Sequence, residues 1–252
     1  MAINCPVTTD IQRDIRQTAQ PARGAFSSFS ADFYDKLQRI MYTKRAEAGT
    51  YLFWEGDEAG KLYYIRSGRV KLRKSTEDGK DILLSIHQQG DLLGEAGGCT
   101  IPHSFSAEVI ETAEIGVLQW DDLEALLSEN GNLALQFVKW MGLNQRIAQS
   151  KFRDLLLFGK PGALASTLIR ISNTYGVLRS DGILLDIKLT NTDLAELIGS
   201  TRESVNRMLC SLKDEGTIDI RQGKIMICRL SDLRRICNCP GSPACPKEVC
   251  QI

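Results

Sequence analysis

The sequence predicts an α+β chain: an all-β N-terminal domain, a long helix, a small helical domain closed by a β-hairpin, and a cysteine-bearing C-terminal extension. Three observations carry this. Between Gly49 and Trp120, short apolar or alternating runs are separated by glycine-bearing turns, the signature of a barrel or sandwich. After Trp120 the apolar spacing changes to the helical period. Two short capped helix patterns joined at Gly199, then a hairpin pattern over 218–227, spell a winged helix-turn-helix.

A chain of 252 residues exceeds the usual size of one core and suggests two domains. Its first 25 or so residues are polar and without period, which predicts a flexible arm over 1–30. A short helix follows over Asp32–Ile40. The strand runs are YLFW at 51–54, LYYI at 62–65, VKLRK from Val70, ILLSI from Ile82 and IGVLQW ending at Trp120. Turns are expected at Glu55-Gly56-Asp57, Ser67-Gly68, Glu77-Asp78-Gly79-Lys80 and Gln89-Gly90-Asp91, where glycine and aspartate satisfy turn geometry.

Leu133, Phe137, Trp140, Ile147 and Leu155 form one stripe of a helix expected over Asn132–Phe158. Asn144 falls in that stripe, as does the lone polar residue that sets register in a two-stranded coiled coil. A helix packed on its own domain gives the same periodicity, so both readings stand. Gly159-Lys160-Pro161-Gly162 makes a hinge. Helix resumes over Ala163–Tyr175, and a strand is expected over Ile183–Leu189.

Thr190 is the expected N-cap of a short helix that ends at Gly199. The next helix, from Ser200, puts Val205, Met208, Leu209 and Leu212 inward and leaves Arg202, Glu203, Asn206 and Arg207 outward. Arginine can donate two bonds to guanine O6 and N7, while glutamate accepts from cytosine N4. This outward set therefore suits the DNA major groove, with Thr201 and Ser204 placed to hold phosphates. Arg221 and Lys224 of the hairpin are expected to reach the DNA backbone. An ordinary solvated charged face is the plainer alternative for the same residues.

Lys plus Arg and Asp plus Glu are 31 each, so net charge is zero and points to no partner. Residues 151–252 nevertheless carry 15 basic against 11 acidic side chains, a small excess on the side of the helix-turn-helix. No run approaches the roughly 18 apolar residues of a membrane span, and the N-terminus lacks the apolar stretch of a signal peptide. A cytoplasmic protein with no membrane partner is expected. His87 and His103 are the only histidines and sit in no triad or zinc-hydrolase motif, so no enzyme is expected. Of eight cysteines, Cys237, Cys239, Cys245 and Cys250 fall within the last 16 residues. In a reducing compartment such a cluster reads as a metal site or redox element. The tail is too poor in apolar residues to fold alone, and its spacing does not separate zinc from an iron-sulfur cluster.

Gly90-Asp91-Leu92-Leu93-Gly94-Glu95 and Arg202-Glu203-Ser204-Val205-Asn206-Arg207 resemble the β-roll signature and recognition helix of the CRP/FNR family of bacterial regulators. The likeness covers nearly the whole chain beyond residue 30. It implies a cyclic-nucleotide-binding-like β-roll over 31–125, a dimerisation helix over 126–158, a winged helix-turn-helix DNA-binding domain over 159–230 and a cluster-binding extension over 231–252. It also implies a homodimer on palindromic double-stranded DNA, with RNA polymerase as a further partner and Glu203 and Arg207 reading half-sites of the TGTGA type. Members that bind cyclic AMP carry Arg-Ser after the Gly-Glu, where Phe105-Ser106 stand here. A phenyl ring cannot balance a phosphate, so cyclic AMP is not expected as effector, with Arg73 the candidate substitute.

The tail resembles the oxygen-responsive Bacillus-type Fnr subgroup of that family, whose cluster cysteines follow the DNA-binding domain. That resemblance implies a [4Fe-4S] cluster on Cys239, Cys245, Cys250 and Asp154, with Cys237 the rival of Cys239. Nothing in the residues alone selects Asp154; beside Lys151 and Arg153 it reads as an ion-paired surface carboxylate. The expected function is an oxygen-responsive regulator of anaerobic respiration genes. The alternative is a CRP-like regulator with a small-molecule effector in the β-roll and a structural zinc in the tail.

Overall fold

The computed structural model describes residues 29–95, 101–239, 245–246 and 248–252. The arm expected over 1–30 lies outside the described residues except for Phe29 and Ser30. Two compact units divide the chain, one ending at Gly142 and the other running from Leu143 to Ile252.

In the first unit, helix α1 (Ala31–Ile40) begins where the Ser30 hydroxyl accepts a hydrogen bond from the Phe33 amide, as an N-cap requires. Strands β1 (Met41–Ala46), β2 (Tyr51–Phe53), β3 (Lys61–Ser75), β4 (Asp81–Gln88), β5 (Leu92–Leu93) and β6 (Ser106–Gln119) follow. All pair antiparallel, in the order β1-β6-β3-β4, with β2 on β6 and β5 on β3. Helix α2 (Trp120–Glu129) and the start of α3 (Gly131–Leu157) complete the unit.

The runs at 62–65 and from Val70 are one strand, not two. At Ser67-Gly68 the chain does not reverse; the β3–β6 register shifts there instead, a bulge that bends a long ribbon. Gly68 has φ 86°, and a side chain on it would meet the Thr112 carbonyl at 2.6 Å. Only glycine fits that approach.

Alternation along β3 separates two cores. Tyr63, Ile65, Val70 and Leu72 point into the roll with Phe53, Val109, Ile115 and Val117. Leu62 and Tyr64 face the helices and pack with Phe33, Leu37, Leu118, Leu123, Leu133, Phe137 and Trp140. The first half of the stripe predicted on α3 is therefore spent on its own domain. Asn144 is exposed, as are Val138, Met141, Gln145, Ala148, Phe152 and Leu155, which recur at alternating intervals of three and four. Both sets have the spacing of a coiled-coil seam, but in the set containing Asn144 the residues Leu133, Phe137 and Trp140 are buried within their own domain, whereas the second set is exposed.

In the second unit, α4 (Gly159–Tyr175) starts one residue after α3, so the glycine-proline hinge is its first turn. Pro161 sits where its missing N–H costs nothing. Strands β7 (Gly176–Arg179) and β8 (Gly182–Leu185) precede helices α5 (Asn191–Leu197) and α6 (Arg202–Asp214). Strands β9 (Ile218–Arg221) and β10 (Lys224–Ile227) come next, and α7 (Leu230–Ile236) follows. The sheet order is β7-β8-β10-β9. Gln222 (φ 50°) and Gly223 (φ 76°) make the two-residue β9–β10 turn, with the positive φ at both positions that such hairpins favour.

Candidate DNA interface and cysteine centre

Thr190 caps α5 reciprocally: its hydroxyl accepts from the Asp193 amide, and Asp193 accepts from the Thr190 amide at 2.8 Å. Thr190→Ala is expected to cost about 1 kcal/mol, read as a lower urea midpoint. An unmoved midpoint would mean that Asp193 alone holds the turn.

Gly199, at φ 57°, ends the first helix, and Thr201 caps α6 by accepting from the Ser204 amide at 3.2 Å. Lys160 donates to the carbonyls of Ile198 and Gly199, so the start of α4 holds the turn between the two helices. Val205, Leu209 and Leu212 are buried, seating α6 on its domain. Arg202, Glu203, Asn206 and Arg207 are exposed and Ser204 is half-buried. Asn206 accepts from Asn191 at 3.1 Å. Among the described residues neither Glu203 nor Arg207 has an ion pair or hydrogen bond, so both heads are available to a base edge.

On the wing, the basic side chains have acidic neighbours. Arg221 pairs with Asp181 and, at 3.0 Å, with Asp219, while Lys224 pairs with Asp186.

In the β-roll, Phe105 is half-buried against the core that contains Phe53. Glu95 accepts from the Ser104 amide at 2.7 Å and lies 3.2 Å from Nδ1 of buried His103. Arg73 faces two carboxylates, Asp81 at 3.5 Å and Glu108 at 3.7 Å. The cation weighed as a phosphate partner is thus already balanced by acids.

Helix α7 stops at Cys237 because Asn238 takes the left-handed conformation, φ 44°, which short polar side chains tolerate. The chain turns back, and the Cys239 amide donates to the Arg234 carbonyl at 2.8 Å. Beyond residues 240–244, the tail docks on one side of α4. Arg170 donates to the Val249 carbonyl at 3.1 Å, Asn173 donates to the Cys250 carbonyl at 2.8 Å, and the Ile252 amide donates to Thr174.

Asp154 is at the same place, and it is buried, only 4% exposed. Its Oδ2 accepts from Arg170 at 2.6 Å and from Ser166; its Oδ1 accepts from Arg153 at 2.6 and 3.0 Å. Burial alone would raise its carboxyl pKa, but the bonds from Arg170, Ser166 and Arg153 outweigh it and hold the group below the ordinary value. A hydrogen bond from Cys237 lowers the Cys239 thiol to about 6, aided by the charges of Arg234 and Arg153. The same bond pushes the Cys237 thiol up, and burial raises that of Cys250. Cys245 adjoins Arg153, and Cys250 lies in the fields of Arg170, Cys239, Cys245 and Asp154. Burial, and then the charge of Arg170, push the half-buried Lys151 ammonium down to about 7.

Among the described residues no three Cys, His, Asp or Glu side chains converge as ligands of one metal ion. Asp154 is committed to its arginines. The donor chemistry still fits a thiolate-held metal group: soft sulfur donors suit zinc or iron-sulfur, and the surrounding arginines suit the negative charge that such ligands bring.

Comparison with known proteins matches both domains of the chain. Residues 43–130 match the family "Cyclic nucleotide-binding domain" and residues 162–236 match "Crp-like helix-turn-helix domain". The anaerobic regulatory protein of Bacillus subtilis (strain 168) is 47% identical over 88% of this chain and 94% of its own length. The chain belongs to the CRP/FNR family of transcription regulators. A CRP-like cAMP-activated global transcriptional regulator of Mycobacterium tuberculosis is 26% identical over 85% of this chain and 93% of its own. Among solved structures, FixK2 from Bradyrhizobium japonicum shares the fold with TM-score 0.69 at 18% identity, covering 78% of this chain and 97% of its own. A CooA mutant from Carboxydothermus hydrogenoformans gives the same TM-score and identity over 93% and 99%.

As a CRP/FNR regulator the chain is a DNA-binding protein and not an enzyme. No helix among the described residues is long and apolar enough to cross a membrane. For this family member, sequence reasoning missed the α4 side chains Ser166, Arg170, Asn173 and Thr174. One signal was present: Arg170 is a lone cation in the apolar run from Ala163 to Ile171, and a buried cation needs a partner.

Proposed function

We propose that the chain is an oxygen-responsive, homodimeric regulator of anaerobic respiration genes. It binds a TGTGA-N6-TCACA-like palindrome while a [4Fe-4S] cluster is held by Cys239, Cys245, Cys250 and Asp154, and it acts with RNA polymerase. The observation that carries this reading is the meeting of the cysteine tail with buried Asp154, more than 80 residues earlier in the chain, on Arg170 of α4. The name of the Bacillus subtilis relative, an anaerobic regulator, supports the same reading. Arg73, already facing Asp81 and Glu108, and Phe105 at the position of the family's arginine argue against a cyclic AMP phosphate in the β-roll.

The cluster, when bound, supplies an oxygen-labile set of bonds between the end of α3 and the tail. The chain's own residues supply the rest. Arg170 and Ser166 orient Asp154; Arg170, Asn173 and Thr174 seat the tail; Lys160 carries the position of the α3–α4 junction to the turn that begins the recognition helix. A second copy packed along Val138, Met141, Phe152 and Leu155 of α3 would cover exposed apolar surface and place two recognition helices on one DNA face.

Protein purified without air is expected to be brown, to contain iron and sulfide, and to bind the palindrome about tenfold or more tightly than after air exposure at one salt concentration. Equal affinity before and after air overturns the oxygen switch. Colourless protein containing zinc favours the CRP-like reading, with a small-molecule effector and a structural metal.

A further inference from the structure

The two oxygens of Asp154 are held by unlike partners. Oδ2 is held by Ser166 and by Arg170, whose side chain is 4% exposed and is itself fixed by Ser150 at 2.8 Å and the Val249 carbonyl. Among the described residues Oδ1 accepts only from Arg153, whose side chain is 41% exposed. Arg153 also adjoins Cys245 and lies in the field of Cys239.

We propose that Arg153 is the cluster's competitor for Asp154: its guanidinium holds Oδ1, the oxygen that it would have to release for Asp154 to ligate iron. The inference rests on the cluster reading above. Were Asp154 to hold the cluster, Oδ1 would exchange its Arg153 hydrogen bonds for iron with no electron or proton transferred, because a carboxylate paired with arginines is already ionised. Arg153 can make the move since its guanidinium can turn into water, where a partly exposed ion pair is worth little. Arg170 cannot, because its head would be left buried without a counter-charge. The carboxylate therefore keeps one orientation in both states, and its positioning residue is Arg170. Arg153 competes with the cluster for Oδ1 and speeds cluster loss by capturing the freed ligand.

Arg153→Met keeps the aliphatic stem and removes the competitor. In anaerobically prepared full-length protein challenged with an iron chelator, the variant is expected to lose its absorbance near 400 nm about fivefold more slowly than wild type. Arg153→Lys, which keeps the charge, is expected to stay near the wild-type rate. Thermal melts of the cluster-free proteins followed by far-UV circular dichroism should show a folded variant with a slightly lower midpoint, the readout that needs no cluster. Loss at the wild-type rate, or faster, overturns the proposal; faster loss would mean that Arg153 instead neutralises the loaded centre. Wild-type protein without iron and sulfide overturns the cluster reading and this proposal together, whereas a normal wild-type cluster with an indifferent variant overturns this one alone.

Discussion

In the cluster-free protein, Asp154→Ala should lower the unfolding free energy by about 3–5 kcal/mol, the largest effect expected of any single substitution in this centre. The size follows from what remains behind. Arg170 is 3% exposed and would keep its charge with no carboxylate beside it. Its bonds to Ser150 and the Val249 carbonyl supply only neutral acceptors. Arg153, the other partner, contributes far less because water reaches it. Urea unfolding of both proteins in chelator measures the difference, and a loss below about 1 kcal/mol would mean that Arg170 is hydrated and not held.

The pH dependence has a definite sign. Folding depresses the Asp154 carboxyl below its ordinary value of 3.8, so the folded state binds the proton less readily than the unfolded state does. Its contribution is complete above that ordinary value, shrinks as pH falls below it, and is gone once pH has dropped through the depressed folded value. Wild type and Asp154→Ala should therefore converge in stability only in strong acid.

Arg207→Ala is expected to weaken binding to the cognate palindrome by about 1–3 kcal/mol, roughly 5- to 150-fold, with little change in folding stability. Both halves of that expectation come from α6: Arg207 is exposed, and seating of the helix depends on Val205, Leu209 and Leu212. If Arg207 reads a guanine, as proposed, the loss should fall on that base and discrimination at that position should relax. Arg221→Ala is the comparison. Arg221 is already paired with Asp181 and Asp219, so its removal should leave the salt dependence of binding unchanged. A uniform loss across all sequences with a shallower salt slope on Arg207→Ala would make that residue a phosphate contact and remove it from base reading.

Local signals made the DNA-binding half legible in advance. Thr190, Thr201 and Gly199 act within a few residues of themselves, and the 3.6-residue period alone separates buried Val205 and Leu209 from exposed Glu203 and Arg207. Where two distant segments approach, the same kind of reasoning went astray. Ser67-Gly68 has the composition of a turn, yet the close passage of Thr112 and Ala113 makes it a bulge within one strand.

Hydrophobic period, caps and turn residues depend on neighbours a few positions apart, and they dictate that this chain forms a strand-rich domain, a long helix and a helix-turn-helix with Glu203 and Arg207 outward. Which stripe of α3 is consumed by Phe33 and Leu62, and which is left exposed at Val138 and Phe152, depends on how strands and helices stack. Burial of Asp154 beside Arg170, with Val249 and Cys250 drawn to the same helix, likewise appears only on folding. Ion pairs and packed faces are formed by proximity in space, and neither periodicity nor spacing along the chain carries that information.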